Sequence, residues 1–280
     1  MTFVFNPMGD SMITGICERK SLLKRPDQSG HVIQYVKTMK EQVMAANFDY
    51  AFIVTSLNDN YNYNRIARYV SITLEGNGVP VVILTKSDLV NDPTLFIREI
   101  EALSDKVRVH AISALKGIGL SELSPYMEAG NTLVLLGSSG VGKSTLVNAL
   151  VGEEVMKTSE IREDDSKGRH TTTCRQMIFL PTGAVMIDMP GMRELGMCDV
   201  ESGIDETFSD IKELEEQCRF RDCRHEKEPG CAIRQALDSG QITWERFKLY
   251  KNLKGESRAS KDMKAIARKR RQLNSVKRKR

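Results

Sequence analysis

The sequence lacks the features that mark several large classes of protein. Only 6% of its 280 residues are aromatic, including one tryptophan, and it contains eight prolines. No apolar run approaches the roughly 20 residues that a helix needs to span a bilayer. The six cysteines do not suggest a disulfide framework, because three stand alone and three fall together around a histidine. These absences exclude a collagen-like chain, a membrane bundle and a disulfide-rich domain, and we expect a cytoplasmic protein with no membrane partner.

Charge is plentiful but unevenly distributed along the chain. Charged residues make up 28% and hydrophobic residues 40%, which is an ordinary globular composition. Residues 258–280 contain eleven Lys or Arg and one acid, Asp262, so this tail carries +10 while the whole chain carries +4. A basic tail on a slightly acidic body predicts contact with nucleic acid or another polyanion. A solvated tail without a partner is an equal alternative.

Apolar runs alternate with segments of helical spacing over most of the chain. The run VPVVILT at 79–85 is typical of a buried strand, whereas 64–75 places Ile66, Val70 and Leu74 on one helical face. This alternation predicts an α/β fold with a mainly parallel sheet covered by helices on both faces, followed by charged helices. The predicted strands are 48–56, 79–85, 107–112, 132–136, 177–180 and 184–187, and the predicted helices are 64–75, 93–103 and 119–127.

A glycine-rich loop at 137–144 matches the pattern GxxxxGK[ST] in full. It lies between a predicted strand and a predicted helix, where backbone N–H groups can cradle phosphate oxygens. Lys143 would reach the terminal phosphates and the Ser144 hydroxyl would bind Mg²⁺. The alternative, a turn with a chance lysine, does not explain the flanking strand and helix. The predicted phosphate-binding residues are Gly137, Ser138, Ser139, Gly140, Val141, Gly142, Lys143, Ser144 and Thr145.

The tetrapeptide DMPG at 188–191 follows another apolar strand. A carboxylate at a strand end suits a metal-facing position, so Asp188 would hold Mg²⁺ through water, and the Gly191 N–H would contact a γ-phosphate. Alone, such a tetrapeptide is usually a plain turn. Its pairing with the phosphate loop favours the functional interpretation.

A candidate base-reading motif lies upstream of the phosphate loop. The residues Thr85, Lys86, Ser87 and Asp88 follow a buried strand and resemble the [NT]KxD motif of GTPases. A carboxylate at Asp88 can accept from both N1–H and the 2-amino group of guanine, a pair of donors that adenine does not offer. A chance TKSD in an ATPase or kinase is the alternative. Ser113 and Ala114 follow the next strand and suit the backbone segment that contacts guanine O6.

A cluster of metal-ligating residues lies in the C-terminal part. Cys218, Cys223, His225 and Cys231 supply three thiolates and one imidazole, the donor set of a structural zinc site. A full set of four ligands leaves no open catalytic position, so we expect one structural Zn²⁺. Chance clustering of buried cysteines is the alternative. Basic residues interleave with the ligands and face either RNA phosphate or solvent: Arg219, Arg221, Arg224 and Lys227.

The order of these motifs leads to a specific resemblance. The base-reading motif precedes the phosphate loop, which is the order that a circular permutation of a GTPase would produce. This order, the run GRHTTT at 168–173, the Cys/His cluster and the stretch QVMAANFDYAFIVTS at 42–56 resemble the ribosome small-subunit-dependent GTPase family (RsgA, also called YjeQ). The similarity extends from about Ile13 to about Tyr250.

The resemblance implies a GTPase that forms GDP and phosphate and acts as a late maturation or checkpoint factor of the small ribosomal subunit, in contact with its RNA. It also implies that Thr171 or Thr172 binds the Mg²⁺ that accompanies GTP or GDP. Met192 stands near the position where Ras-like GTPases keep a water-orienting glutamine, so His170 becomes the candidate catalytic residue. An exposed loop histidine is the alternative for His170. For the chain as a whole the alternative is a nucleotide-gated RNA-binding module with negligible turnover.

We expect a monomer with three domains. These are a partial OB-like β segment over 1–37, a circularly permuted GTPase domain over 38–206, and a helical zinc-binding domain with a basic tail over 207–280. The family normally begins with a five-stranded OB barrel, and several of its strands have no counterpart here. Trp244, Phe247 and Tyr250 stand at helical spacing, which favours core packing over base stacking.

Overall fold

The computed structural model describes residues 2–4, 6–10, 12–15, 17–27, 32–33, 36–37, 40–156, 176–189 and 196–277. The strands, in chain order, are β1 (Thr2–Val4), β2 (Met12–Gly15), β3 (Leu22–Asp27), β4 (Val32–Ile33), β5 (Val36–Lys37), β6 (Lys40–Ala46), β7 (Tyr50–Ser56), β8 (Val79–Thr85), β9 (Arg108–Ala111), β10 (Thr132–Leu136), β11 (Gln176–Phe179) and β12 (Val185–Asp188). The α-helices are α1 (Tyr63–Glu75), α2 (Thr94–Glu101), α3 (Lys143–Val151), α4 (Glu201–Thr207), α5 (Ser209–Glu216), α6 (Ala232–Asp238) and α7 (Trp244–Lys277). Two 3-10 helices cover Ser87–Leu89 and Leu120–Tyr126.

Six strands form one sheet in the order β11-β12-β10-β7-β8-β9. All neighbours run parallel except β11, which pairs antiparallel with β12 at one edge. The predicted mainly parallel sheet is therefore confirmed. The helix predicted at 119–127 is instead the 3-10 helix Leu120–Tyr126, because Pro125 inside it has no N–H to donate to an α-helical hydrogen bond.

Alternate side chains of the central strands fill two apolar clusters, one on each face of the sheet. In β7, Ala51 and Ile53 belong to the cluster beneath α1, whereas Phe52 and Val54 belong to the cluster beneath α3. This division follows from the two-residue period of a strand, which sends successive side chains to opposite faces. Helices on both faces are needed because both faces of the sheet are apolar.

The segment before the sheet contains three antiparallel two-stranded ladders, β1 with β2, β3 with β6 and β4 with β5. Within the described part of residues 2–46, these ladders do not merge into one sheet or a closed barrel. The β3–β6 ladder is attached to the α/β body. The Leu22 N–H donates to the Gly76 carbonyl at 2.9 Å, and the Phe48 N–H donates to the Ser21 hydroxyl at 2.7 Å.

The C-terminal helices share an apolar core with α1. Side chains from α4, α5, α6 and α7 all belong to the cluster on that face of the sheet. Helix α4 crosses α1 at Gly203, where an added Cβ would lie 2.0 Å from the Ser71 carbonyl oxygen. Beside this crossing the Ser71 and Thr207 hydroxyls are 2.9 Å apart, and the Gly203 N–H donates to Glu75 at 2.9 Å. Only glycine allows the two helices to approach this closely.

Two buried serines connect α7 to the segment that follows β12. The Ser260 hydroxyl donates to the Met197 carbonyl at 2.7 Å, and the Val200 N–H donates to the Ser257 hydroxyl at 3.1 Å. Helix α7 spans 34 residues but is rich in charge. Across the described ranges, none of the helices combines the length and the hydropathy needed to cross a bilayer.

We expect Gly203→Ala to destabilise the protein by about 2 kcal/mol, because the new methyl group must push α4 away from the α1 backbone. The control is Gly255→Ala in α7, where an added Cβ meets no atom within 4 Å. Alanine should be favoured at Gly255 by up to about 1 kcal/mol through its helix propensity. Urea unfolding followed by circular dichroism measures both changes. Equal midpoints for the wild type and Gly203→Ala would contradict the close crossing of α1 and α4.

Candidate functional site

The phosphate loop leads from the end of β10 into the first turn of α3. Its three glycines have positive φ angles, 154° at Gly137, 78° at Gly140 and 93° at Gly142. A Cβ at Gly137 would also lie 2.5 Å from the Val54 carbonyl oxygen. Glycine is therefore required both by conformation and by the close approach to β7. A loop of this shape at a helix N-terminus is suited to bind phosphate.

Lys143 is the first residue of α3, and its ammonium group folds back over the loop. Nζ donates to the carbonyl oxygens of Gly137 at 2.8 Å and Ser138 at 2.7 Å. Burial lowers the pKa of Lys143, and the negative charge of Asp188 opposes that shift. A partly desolvated ammonium in this position can exchange its carbonyl acceptors for phosphate oxygens, with which it forms stronger charge-assisted bonds.

Asp188 ends β12 directly beside β10, where it pairs in register with Leu135. The residue is 2% exposed, and its Oδ1 has no hydrogen-bond partner within the described structure. Burial raises the pKa of Asp188, against the effects of Lys143 and the Met189 N–H. An unsatisfied carboxylate oxygen is costly to bury. Its position next to a phosphate loop fits a divalent cation with oxygen ligands.

The other residues predicted near the terminal phosphate divide into two groups. Ser144 and Thr145 are half-buried in the first turn of α3, next to Lys143. The remainder lie outside the described residues: His170, Thr171, Thr172 and Gly191. Their assigned roles therefore stay predictions.

The predicted base-reading residues meet where β8 and β9 end. Asp88 lies in the 3-10 helix that follows β8, and a hydrogen bond from the Ser113 side chain is the main effect that lowers the pKa of Asp88. Lys116 adds to this effect with its Nζ 3.5 Å from the carboxylate. A cavity of about 260 Å³ opens beside these groups. Its lining residues are Thr85, Lys86, Asp88, Leu89, Ser113, Ala114, Leu115, Gly142 and Thr145.

Thr85 connects the base-reading residues at the end of β8 to the phosphate loop. Its hydroxyl lies 2.6 Å from the Val141 carbonyl oxygen, and the residue is buried. Lys86 has a left-handed φ of 58°, and its Nζ is 3.4 Å from the Gly140 carbonyl oxygen. Both residues therefore contact the loop directly, so the TKSD motif and the phosphate loop form one site.

Three residues at this site, Leu89, Leu115 and Arg65, are not among those that the sequence motifs predict. Leu89 and Leu115 line the cavity although they are 62% and 84% exposed, which suits them to cover the faces of a base. They directly follow Asp88 and Ala114, so their adjacency to the motifs was a usable signal. Arg65 donates from Nη1 to the Ser138 hydroxyl at 3.1 Å. No local pattern could reveal that contact, because 73 positions separate the two residues.

The predicted metal ligands come together in space. The ligand atoms of Cys218, Cys223, His225 and Cys231 lie within 4.8 Å of one another. His225 Nδ1 is 3.6 Å from the Cys218 sulfur and 3.5 Å from the Cys231 sulfur, and these two sulfurs are 4.0 Å apart. Tetrahedral zinc requires N···S and S···S separations of about 3.6 Å and 3.8 Å. The cluster could therefore hold a zinc ion.

Two carboxylates support this cluster. Glu215 lies 3.4 Å from His225 Nε2, which leaves Nδ1 directed at the ligand sulfurs, and it also accepts from the Tyr250 hydroxyl at 2.8 Å. Glu228 accepts the backbone N–H groups of Arg224, Glu226 and Lys227 at 2.8–3.0 Å. The hydrogen bond from the backbone N–H of Glu228 itself, followed by these three, lowers the pKa of Glu228 to about 2, so it stays charged at neutral pH.

Core packing was the wrong prediction for Trp244. Phe247 and Tyr250 are buried as expected, but Trp244 is 60% exposed at the start of α7. Positions six apart on a helix do not share one face, so the buried face that includes Phe247 and Tyr250 leaves Trp244 at its margin. The basic residues around the metal ligands are also exposed: Arg219, Arg221, Arg224 and Lys227.

Comparison with known proteins agrees with these observations. Residues 16–198 match the family described as RsgA GTPase. The chain is 44% identical over 261 residues to small ribosomal subunit biogenesis GTPase RsgA 2 of Listeria monocytogenes serotype 4b, covering 92% of this chain and 73% of that relative. It is 45% identical over 251 residues to small ribosomal subunit biogenesis GTPase RsgA of Methanosarcina acetivorans, covering 89% of this chain and 65% of that relative.

Solved structures show the same fold. YjeQ from Thermotoga maritima is similar with a TM-score of 0.59 and 25% identity, covering 90% of this chain and 80% of that one. A structure described as YloQ, a circularly permuted GTPase, has a TM-score of 0.59 at 22% identity, covering 93% of this chain and 78% of that one. The predicted circular permutation of the fold is therefore confirmed.

Asp88→Asn should weaken GTP binding by at least about tenfold, because the carboxylate that accepts two N–H groups becomes an amide that accepts one. Xanthosine triphosphate has a carbonyl in place of the 2-amino group, so it should bind this variant more tightly than GTP. The control is Asp92→Asn. Asp92 does not line the cavity, and its carboxylate accepts the Thr94 N–H at 2.9 Å. Fluorescence titration with labelled nucleotides measures the affinities. Equal affinity of the wild type for GTP and ATP would contradict guanine recognition.

Proposed function

The chain belongs to the RsgA GTPase family, and on that premise we propose that it hydrolyses GTP during maturation of the small ribosomal subunit. One observation supports this most strongly. The Asp88 carboxylate and the residues Gly142 and Thr145, at the start of α3, line the same cavity. A nucleotide whose base lies beside Asp88 would therefore place its phosphates on the loop.

Guanine would be recognised by polar and apolar contacts together. Asp88 accepts N1–H and the 2-amino group, and the hydrogen bond from Ser113 keeps it ionised and oriented. The backbone at Ala114 faces O6. Leu115 and the stem of Lys86 cover the faces of the ring.

The phosphates would be held by Lys143 and the loop backbone. Ser144, Asp188 and either Thr171 or Thr172 would hold Mg²⁺, and the unsatisfied Oδ1 of Asp188 supports that assignment. A bound Mg²⁺ neutralises charge on the β- and γ-phosphates. The Gly191 N–H would contact the γ-phosphate.

Hydrolysis uses water as the nucleophile. The water oxygen bonds to the γ-phosphorus as the bond to the β–γ bridging oxygen breaks, which yields GDP and phosphate. Met192 has no group that can orient water. We assign this role to His170, whose neutral imidazole accepts a hydrogen bond from the attacking water. Lys143 stabilises the charge that develops on the leaving oxygen.

The ligand cluster is proposed to hold one structural Zn²⁺. Its four protein donors would complete the coordination of the ion and would leave no open position for chemistry. Desolvation, aided by the nearby Cys231 and Cys218, raises the pKa of the Cys223 thiol to about 11. A bound Zn²⁺ would hold this sulfur as a thiolate at neutral pH.

RNA of the small subunit is the proposed partner of the C-terminal region. The exposed basic residues around the ligand cluster and the basic tail supply positive charge for the phosphate backbone. Trp244, exposed at the start of α7, offers a face on which an unpaired base can stack. We propose that a monomer performs this work in the cytoplasm.

Cys223→Ser should reduce bound zinc from about one ion per chain to nearly none, and should lower the unfolding temperature, because metal binding contributes to folding. Cys17→Ser is the matched control, since Cys17 is exposed and lies outside the cluster. Elemental analysis of the purified proteins and thermal unfolding provide the two readouts. A zinc-free Cys223→Ser protein as stable as the wild type would show that the ion has no structural role.

GTP hydrolysis should accelerate at least about tenfold when purified small ribosomal subunits are added at fixed salt. His170→Ala should lower kcat by about 10²-fold while GTP affinity stays within about twofold, because a water-orienting group acts in the chemical step. Phosphate release and nucleotide titration measure the two quantities. GTP binding without stimulated turnover would instead favour a nucleotide-gated RNA-binding module.

A further inference from the structure

Arg65 reaches the phosphate loop from α1, a helix that carries none of the nucleotide motifs. Its Nη1 donates to the Ser138 hydroxyl at 3.1 Å. The backbone below it is fixed by the helix cap, since Asn62 Oδ1 accepts the Arg65 N–H at 2.9 Å. The residue is half-buried. The cap and the Ser138 contact together define its approach to the loop.

Arg65 differs from two other half-buried arginines in how its charge is satisfied. Arg68 forms a bidentate pair with Glu256 at 2.5 and 2.7 Å, and Arg246 forms one with Asp210 at 2.9 and 2.8 Å. For Arg65, the described ranges contain no carboxylate in ion-pair contact, and the neutral Ser138 hydroxyl is its side-chain partner there. Partial burial of a guanidinium without a counter-anion is unfavourable. The position is therefore suited to receive an anion.

The Arg65 contact lies at the end of the loop that is remote from the base cavity. That cavity reaches Gly142 and Thr145, where the loop joins α3. Ser138 instead follows the end of β10, where the Lys143 ammonium also binds. A nucleotide with its base beside Asp88 runs along the loop in this direction, so its terminal phosphate is the group that comes nearest to Arg65.

We propose that Arg65 binds the γ-phosphate of GTP and so determines the preference of the site for GTP over GDP. This inference rests on the proposed function of the loop as a guanine-nucleotide site. A guanidinium has five N–H donors in a rigid fork, and the bond to Ser138 uses one of them. Among the described residues the other four have no acceptor, so they are available for phosphate oxygens. GDP has no γ-phosphate, so Arg65 has little effect on its binding.

The test compares dissociation constants for GDP and for the non-hydrolysable analogue β,γ-imido-GTP. In Arg65→Ala, affinity for the analogue should fall by about tenfold or more, because a charge-assisted hydrogen bond is lost, while affinity for GDP stays within about twofold. Arg65→Lys keeps the charge but not the fork, so it should restore part of the loss. In steady-state hydrolysis, Arg65→Ala should lower kcat/KM for GTP by at least the same factor.

Arg68→Ala is the matched control, because Arg68 lies one turn further along α1 and its partner Glu256 belongs to α7. Its ratio of analogue affinity to GDP affinity should equal that of the wild type. An equal loss for both nucleotides in Arg65→Ala would show that Arg65 only supports the loop, and would overturn the inference. Unchanged binding of both would overturn it as well. Failure of the wild type to bind guanine nucleotides would overturn the proposed function itself, before any variant is compared.

Discussion

Strand β7 lies between the two halves of the candidate nucleotide site and pairs with a strand from each. On one side it pairs with β10, which leads into the phosphate loop, and on the other with β8, which leads to Asp88. The loop also packs on the end of β7, where Gly137 leaves no room for a side chain beside Val54. The Thr85 hydroxyl then joins the end of β8 to the Val141 carbonyl at 2.6 Å. These contacts are buried and involve backbone atoms. The distance between Asp88 and the phosphate loop therefore depends on the register in which β7 pairs with β8 and β10.

The circular permutation places the C-terminal helices directly after the phosphate side of the site. Strand β12 ends at Asp188, and the chain then continues into these helices. Helix α4 lies against α1 at Gly203, and the segment before it is bonded to Ser257 and Ser260 of α7. Helix α1 also carries Arg65 to the phosphate loop. The C-terminal helices are thus in direct contact with α1, the helix that supplies Arg65.

The Cys/His ligand cluster lies where three C-terminal helices meet. Cys218 follows α5 and Cys231 precedes α6, so one ion would bind both ends of the connection between them. Glu215 of α5 lies 3.4 Å from His225 Nε2 and accepts the Tyr250 hydroxyl of α7 at 2.8 Å. This chain of polar contacts extends from the ligand set to the buried Tyr250 of α7.

Several features of this protein can be predicted from the sequence because their signals lie in contiguous residues. Apolar runs identified the strands of the sheet, and the glycine pattern before Lys143, the TKSD run and the Cys/His spacing identified the candidate sites. Which residues far apart in the sequence come into contact depends on the tertiary structure. Trp244 is exposed because it lies at the margin of the face that α7 turns toward the core, and the packing of α7 on the other helices decides which face that is. Gly203 against Ser71 and Arg65 against Ser138 are likewise contacts between segments far apart in the chain. A local sequence pattern indicates backbone conformation and burial. Contacts between residues far apart in the chain form only when the helices pack on the sheet and on one another.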